Sequence, residues 1–156
     1  MTSIGAEKVS MIEIMEKEGL PSFQGTTLAG QKVELASFKG KIVIVSFWAS
    51  WCSPCLEEFP SLIELVEKMN GEIQLFAVSQ DAEKEEIEAF LKSFPGSKNP
   101  NIHLVWDQDR SIGKIYQVDR LPESFVGDRS HKLVRKIVGT IDWATKDAIE
   151  FMKALK

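Results

Sequence analysis

Apolar positions along this chain fall into two patterns, and the order in which they alternate dictates an architecture. Ile42-Val43-Ile44-Val45 runs on to Phe47 with almost no polar interruption, and Ile73 to Val78 does much the same. Runs this short and this continuously apolar predict strands buried on both faces, as in a sheet with helices on either side. Phe59, Leu62, Ile63, Val66 and Met69 instead recur at three- and four-residue spacing, and predict a helix that stops at Asn70-Gly71. Pro60 falls inside it and is expected to bend it, because it removes a backbone donor and crowds the preceding turn. Ile87, Phe90, Leu91 and Phe94 share one face of a second helix predicted over Glu83 to Phe94, so the middle of the chain reads β-α-β-α.

The flanks extend this order. Residues from about Ala6 to Gly19 carry Val9, Ile12 and Met15 among charges and predict a short peripheral helix, ended by Gly19-Leu20-Pro21. Phe23 to Leu35 reads as a hairpin with a Gly-containing turn, and Phe38-Lys39-Gly40-Lys41 leads into the first central strand. After a loop rich in Pro, Gly and Asn come a strand at Ile102 to Trp106 and a short helix bearing Ile112, Ile115 and Tyr116. An antiparallel pair follows at Ser124 to Val126 and Leu133 to Val138. Ile149, Phe151, Met152 and Leu155 give the last helix, over Trp143 to Leu155, its docking face.

Composition narrows the class. A length of 156 residues with 44% apolar content suits one domain over 1–156, with 1–20 as a peripheral N-terminal segment. Acids and bases are interspersed at a net charge of −4 and leave no basic stripe, so nucleic acid is not an expected partner. The longest apolar stretch, Ile42 to Ala49, is too short to span a bilayer, and Met1 to Glu7 has no basic region followed by an apolar core.

The chemistry-bearing residues are the chain's only two cysteines, in Trp51-Cys52-Ser53-Pro54-Cys55, between the apolar strand and the amphipathic helix. A thiol at a helix N-terminus faces unpaired N–H groups and the positive end of the helix dipole, which favour the thiolate over a free thiol's pKa of about 8.5. Cys52 is therefore the expected nucleophile, and Cys55, one turn on, can attack a mixed disulfide formed at Cys52. Pro54 suits the first turn, where a missing N–H costs nothing. Competing readings are a pair of structural cysteines, half of a zinc site, or a fold that keeps the motif without the activity. The zinc reading is weak, because His103 and His131 lack ligand-type spacing to the pair. No metal or other cofactor is expected.

Phe47-Trp48-Ala49-Ser50-Trp51-Cys52-Ser53-Pro54-Cys55, the proline at 60, and Leu121-Pro122 before Ser124-Phe125-Val126 together resemble the thioredoxin superfamily. Glu57-Glu58-Phe59-Pro60, the hairpin ending Phe38-Lys39-Gly40-Lys41, the insert around Glu83 to Phe94 and Asp107-Gln108-Asp109 resemble more narrowly the TlpA/ResA-like thiol-disulfide oxidoreductases of the bacterial cell envelope. The resemblance implies an α/β thioredoxin-like fold: a central mixed sheet flanked by helices, with an N-terminal β-hairpin and an extra helical insert. It implies an enzyme that reduces partner-protein disulfides, with Cys52 and Cys55 as the redox-active pair. An upstream dithiol donor would recharge it, and it would act as a monomer in the periplasm or envelope, in settings such as cytochrome c maturation. The cytoplasm is the alternative, since the chain as numbered shows no export signal.

The resemblance also marks individual positions. Leu121-Pro122 would be a cis bond facing the cysteines and leaving backbone free to pair with a substrate strand, against the plainer reading of a trans proline that starts a strand. Trp51, Pro54, Leu121, Pro122 and Glu123 would form the substrate groove, although Glu123 reads equally well as an exposed loop acid. Trp48 is expected to pack inside, Trp106 and Trp143 to pack in the core or at its rim. Typical thioredoxins carry an Asp where this chain has Ser46, so the proton-accepting role falls vacant; Glu58, one turn past Cys55, matches an acid that tunes the thiols in the envelope relatives. The alternative for Glu58 is a solvated surface acid beside Glu57. Where relatives commonly carry a turn Gly, this chain reads Gly127 to Lys132, which puts His131 in a strained or rebuilt turn.

Two other functions fit the same residues. A peroxiredoxin-like thiol peroxidase would use Cys52 on a peroxide, but Ala49 stands where that chemistry wants Thr or Ser. A non-catalytic binding module would use only the groove beside Pro122.

Overall fold

A computed structural model of the chain describes residues 10–156. Helix α1 (Met11–Glu18) is capped by the Ser10 hydroxyl, which accepts from Glu13 N at 3.1 Å, and it buries Met15 completely. The part of this predicted helix that includes Val9 lies outside the described residues. Strands β1 (Gln24–Thr26) and β2 (Lys32–Glu34) form the expected hairpin, a separate two-stranded sheet.

The central sheet has five strands in the order β5-β4-β3-β6-β7. Strands β3 (Ile42–Trp48), β4 (Ile73–Ser79) and β5 (Ile102–Trp106) run parallel, while β6 (Glu123–Gly127) and β7 (Leu133–Val138) are antiparallel additions. Every residue of β3 and β4 is buried, which is why these runs show no polar alternation. Alternate β3 side chains enter two cores. Ile42, Ile44 and Trp48 pack with helix α2 (Ser53–Lys68), helix α3 (Lys84–Leu91) and helix α5 (Lys146–Lys153). Val43, Val45 and Phe47 pack on the other face with α1, helix α4 (Ser111–Ile115) and residues flanking the hairpin. Leu28 N donates to Leu104 O at 3.1 Å, fastening the hairpin to β5, and Gly25 permits it: a Cβ there would meet Val105 Cγ1 at 2.7 Å.

Some predicted boundaries move, for local reasons. Helix α3 ends at Leu91 rather than Phe94, because Pro95 disfavours helical backbone at Phe94, which adopts φ −131°, ψ 70° and leads into a 3₁₀ turn at Pro95–Lys98. Helix α5 starts after Thr145, whose hydroxyl accepts from Ala148 N, so Trp143 lies ahead of it in a turn. Glu123 is no exposed loop acid: it belongs to β6, paired with Phe47 and Val138, and is buried. His131 does sit in left-handed backbone, at φ 67°. Asp128 Oδ1 rebuilds the turn around it by accepting from Ser130 N and Lys132 N. Among the described residues no helix is long and apolar enough to cross a membrane.

Candidate active site

Strand β3 ends against the start of α2, and a short turn carries both thiols. Cys52 is the N-cap of α2, with extended backbone, and its Sγ accepts from Cys55 N at 3.3 Å; the two cysteines form a disulfide. Pro54 occupies the first turn and costs no hydrogen bond. Gln80 N donates to Trp48 O at 2.7 Å, tying the end of β3 to the residue after β4. Asp81, buried, fixes the turn itself: its carboxylate oxygens accept from Ser50 N at 3.0 and 3.2 Å, Ser50 Oγ at 2.5 Å and Ser79 Oγ at 2.6 Å. The approach of the chain through Cys52 into α2 is thus set by an acid on the neighbouring strand's exit.

Behind the cysteines, the position that holds an acid in typical thioredoxins is occupied by a hydroxyl pair. Ser124 Oγ donates to Ser46 Oγ at 3.0 Å across the β3–β6 register. The buried acid of the helix is Glu58, which is no surface residue: it is 2% exposed, and Trp143 Nε1 donates to its Oε1 at 2.6 Å. Ile141 N reaches the same oxygen at 3.5 Å. Burial pushes the Glu58 carboxyl above the usual carboxylate range, and the hydrogen bonds from Trp143 and Ile141 pull it partway back. Both donors belong to the segment between β7 and α5, which straps across α2. Thr140 Oγ1 donates to Pro54 O at 3.1 Å and Trp143 N to Ser61 Oγ at 3.0 Å.

The Leu121–Pro122 bond is cis. Trp51, Cys52, Pro54 and Leu121 line one groove of ≈ 630 Å³, together with Gln80, Arg110, Lys114, Val118, Asp119 and Arg120. Trp51 stands 61% exposed at its edge. Cys55 and Glu58 do not reach the groove, and Pro122 and Glu123 are buried outside its lining. Glu123 acts on the loop instead: its Oε2 accepts from Asp119 N at 3.1 Å and Arg120 N at 3.3 Å, while Oε1 lies 3.3 Å from Lys136 Nζ. Trp48 packs inside, stacked on Phe59 at 5.5 Å between ring centroids. The histidines are structural. Desolvation lowers both pKa values, most directly at His103, which stacks on Phe76.

Sequence reasoning missed Asp81, the groove cations and the role of Trp143. Asp81 carried one usable signal, its place just past the C-terminal end of a parallel strand, where α/β sites gather. Trp143 carried none, being 85 residues from the acid it binds.

Comparison with known proteins follows the same lines. The Redoxin family model matches residues 15–150. A thiol-disulfide oxidoreductase ResA of Bacillus cereus is 35% identical over 131 residues, spanning 83% of this chain and 72% of that protein. A thiol:disulfide interchange protein from Bacteroides sp. superposes with a TM-score of 0.71 at 26% identity, over 88% of this chain and 90% of that one. The exposed lipoprotein thioredoxin Etrx1 of Streptococcus pneumoniae strain TIGR4 gives 0.67 at 28% identity, over 86% of this chain and 100% of that one.

Proposed function

This chain belongs to the Redoxin family, as a thiol-disulfide oxidoreductase related to ResA, and on that premise we propose that it runs as a reductant of partner-protein disulfides. An asymmetry of access supports the assignment of roles: Cys52 opens onto the groove, whereas Cys55 sits behind it. In the dithiol form the Cys52 thiolate attacks one sulfur of a partner disulfide. That S–S bond breaks, and the other partner sulfur leaves as a thiolate and takes up a proton. Cys55, deprotonated, then attacks Cys52 Sγ; the Cys52–Cys55 bond forms and the second partner sulfur departs reduced. Two electrons pass to the partner, and an upstream dithiol donor returns them to this chain.

The neighbouring residues divide the remaining work. The N–H groups at the start of α2 stabilise negative charge on Cys52 Sγ. Glu58 tunes both thiols: when ionised it opposes thiolate formation, and when reached by a proton from Cys55 it can accept it. Trp51, Pro54 and Leu121 form the contact surface. Pro122, lacking an N–H, borders a stretch of backbone open to an extended partner strand, and Glu123 holds the loop that leads into it. We place this activity at the bacterial envelope, in a monomer that serves steps such as cytochrome c maturation; relatedness to ResA and similarity to an exposed lipoprotein thioredoxin support that setting.

The test is reduction of a disulfide-bonded protein by the dithiol form, followed with the measured potential of the Cys52–Cys55 couple. Cys52→Ser should abolish turnover, and Cys55→Ala should accumulate a mixed disulfide through Cys52. A couple as oxidising as about −120 mV, the level of strong oxidants, would overturn the reductant assignment.

A further inference from the structure

The groove that Cys52 faces carries charge opposite to that of the chain. Arg110, Lys114 and Arg120 line it against a single acid, Asp119, in a protein whose net charge is −4. Their internal countercharge is small and exposed: Lys114 attracts the Asp109 carboxylate without forming a close pair. Among the described residues Arg110 and Lys114 make no ion pair. Arg120 meets only Asp119, at 3.9 Å with the two side chains 72% and 83% exposed, where solvent screens the attraction.

Arg110 is the one cation held in place. It adopts left-handed backbone at φ 59° just ahead of α4, and its Nη2 donates to Gln80 O at 3.1 Å, on the groove wall. That bond uses one of five guanidinium donors, so the fork stays available to a carboxylate. Lys114 lies four positions on, its N–H donating to Arg110 O at 3.0 Å, and lines the same groove. Arg120 stands on the loop whose backbone Glu123 clamps. The three cations therefore share the groove with the sulfur that attacks.

Resting on the reductase reading above, we propose that this groove selects its substrates by charge: the preferred partner is an extended protein segment with Asp or Glu within a few residues of the disulfide. An extended segment advances about 3.3 Å per residue, so a carboxylate two or three positions from the attacked sulfur stays within reach of the groove cations. Charges at such a rim act mainly on encounter and register. The occupant is a protein segment rather than a small anion, because the cations adjoin the exposed indole of Trp51 and the side chain of Leu121, apolar surface that a longer chain covers.

The test compares kcat/KM for matched disulfide-bonded peptides whose flanking residues are Glu, Gln or Lys, at low and high salt. Two small substrates accompany them, neutral 2-hydroxyethyl disulfide and anionic glutathione disulfide. The Glu peptide should exceed the Lys peptide by about tenfold at low salt, with the gap closing as salt screens the rim. Lys114→Glu combined with Arg120→Glu should invert that ratio. Equal rates on the Glu and Lys peptides alongside normal turnover of 2-hydroxyethyl disulfide would sink charge selection and leave the reductase intact. Glutathione disulfide turning over faster than the Glu peptide would overturn the protein segment as occupant. Failure to reduce any of them would remove the reductase reading, and this inference with it.

Discussion

A carboxylic acid as buried as Glu58 needs a donor to hold its charge, and Trp143 provides it across 2.6 Å. Oε1 takes both bonds, from Trp143 and Ile141, while among the described residues Oε2 makes no protein hydrogen bond and keeps contact with solvent. Glu58→Gln should therefore lower the apparent thiol pKa values by removing a negative charge, read as alkylation rate against pH; superimposable profiles would exclude the tuning role. Trp143→Phe keeps the ring and deletes the donor, which raises the Glu58 carboxyl further. Near neutral pH its thiols should then shift partway toward those of Glu58→Gln, with a stability loss of about 1–3 kcal/mol from the lost hydrogen bond. A purely structural tryptophan would show the stability loss alone. The linkage sign is testable in the oxidised protein, where the cysteines do not titrate. A carboxyl raised in the folded state contributes stability that is present below its unfolded value, about 4.3, and is lost as pH rises through the raised value. The stability of the wild type relative to Glu58→Gln should thus fall between mildly acid and neutral pH in urea titrations.

Among the elements, the junction of β3 with α2 matters most, and it is held from outside. Asp81 satisfies Ser50 N and the hydroxyls of Ser50 and Ser79, so Asp81→Ala leaves a half-buried N–H without an acceptor just ahead of Cys52. The expected cost is about 2–3 kcal/mol in unfolding free energy, with slower attack by Cys52; an unchanged urea midpoint would mean that water replaces the carboxylate. The elements themselves were legible, because burial on both faces writes β3 and β4 as continuous apolar runs and helical periodicity writes α2. The cysteine pair was legible from its place between them, and Leu121-Pro122 from its resemblance to a known motif. What stayed hidden were contacts between positions distant in sequence. Nothing local marks Trp143 as the donor to Glu58, Glu123 as the clamp beneath the groove loop, or the gathering of Arg110, Lys114 and Arg120 beside Cys52. The ends of α3 and α5 moved because a proline and a capping threonine overrode the apolar periodicity that continued past them.

The molecule as a whole is locked together on the hairpin side by two histidines that bracket Phe38. His103 on β5 packs against Phe38 and Phe76 and sits 2.8 Å from Gln74 Oε1, while His131 in the β6–β7 turn approaches Phe38 O at 3.0 Å. Phe38 O can only accept, so Nε2 of His131 carries a proton and donates. Gln74 Nε2 is spent on Asn101 Oδ1 at 2.9 Å, so Gln74 Oε1 likewise accepts from His103. Desolvation lowers both histidine pKa values; at His131 Lys39 adds to it, while the hydrogen bond with Phe38 O and the Asp128 carboxylate pull it partway back. A base lowered in the folded state is protonated first in the unfolded chain, so stability is present above the unfolded value of about 6.5 and is lost as pH falls below it. This slope runs opposite to that from Glu58, which is present in wild type and variant alike, so the histidine share is read as a difference. Between pH 7 and 5.5 the oxidised wild type should lose unfolding free energy relative to a variant without the two imidazoles. A double variant, His103→Gln with His131→Asn, should flatten that decline, because Gln keeps a donor toward Gln74 and Asn tolerates the left-handed backbone at 131. If the slope survives both substitutions, the acid sensitivity lies in other groups and burial does not lower the histidine pKa values.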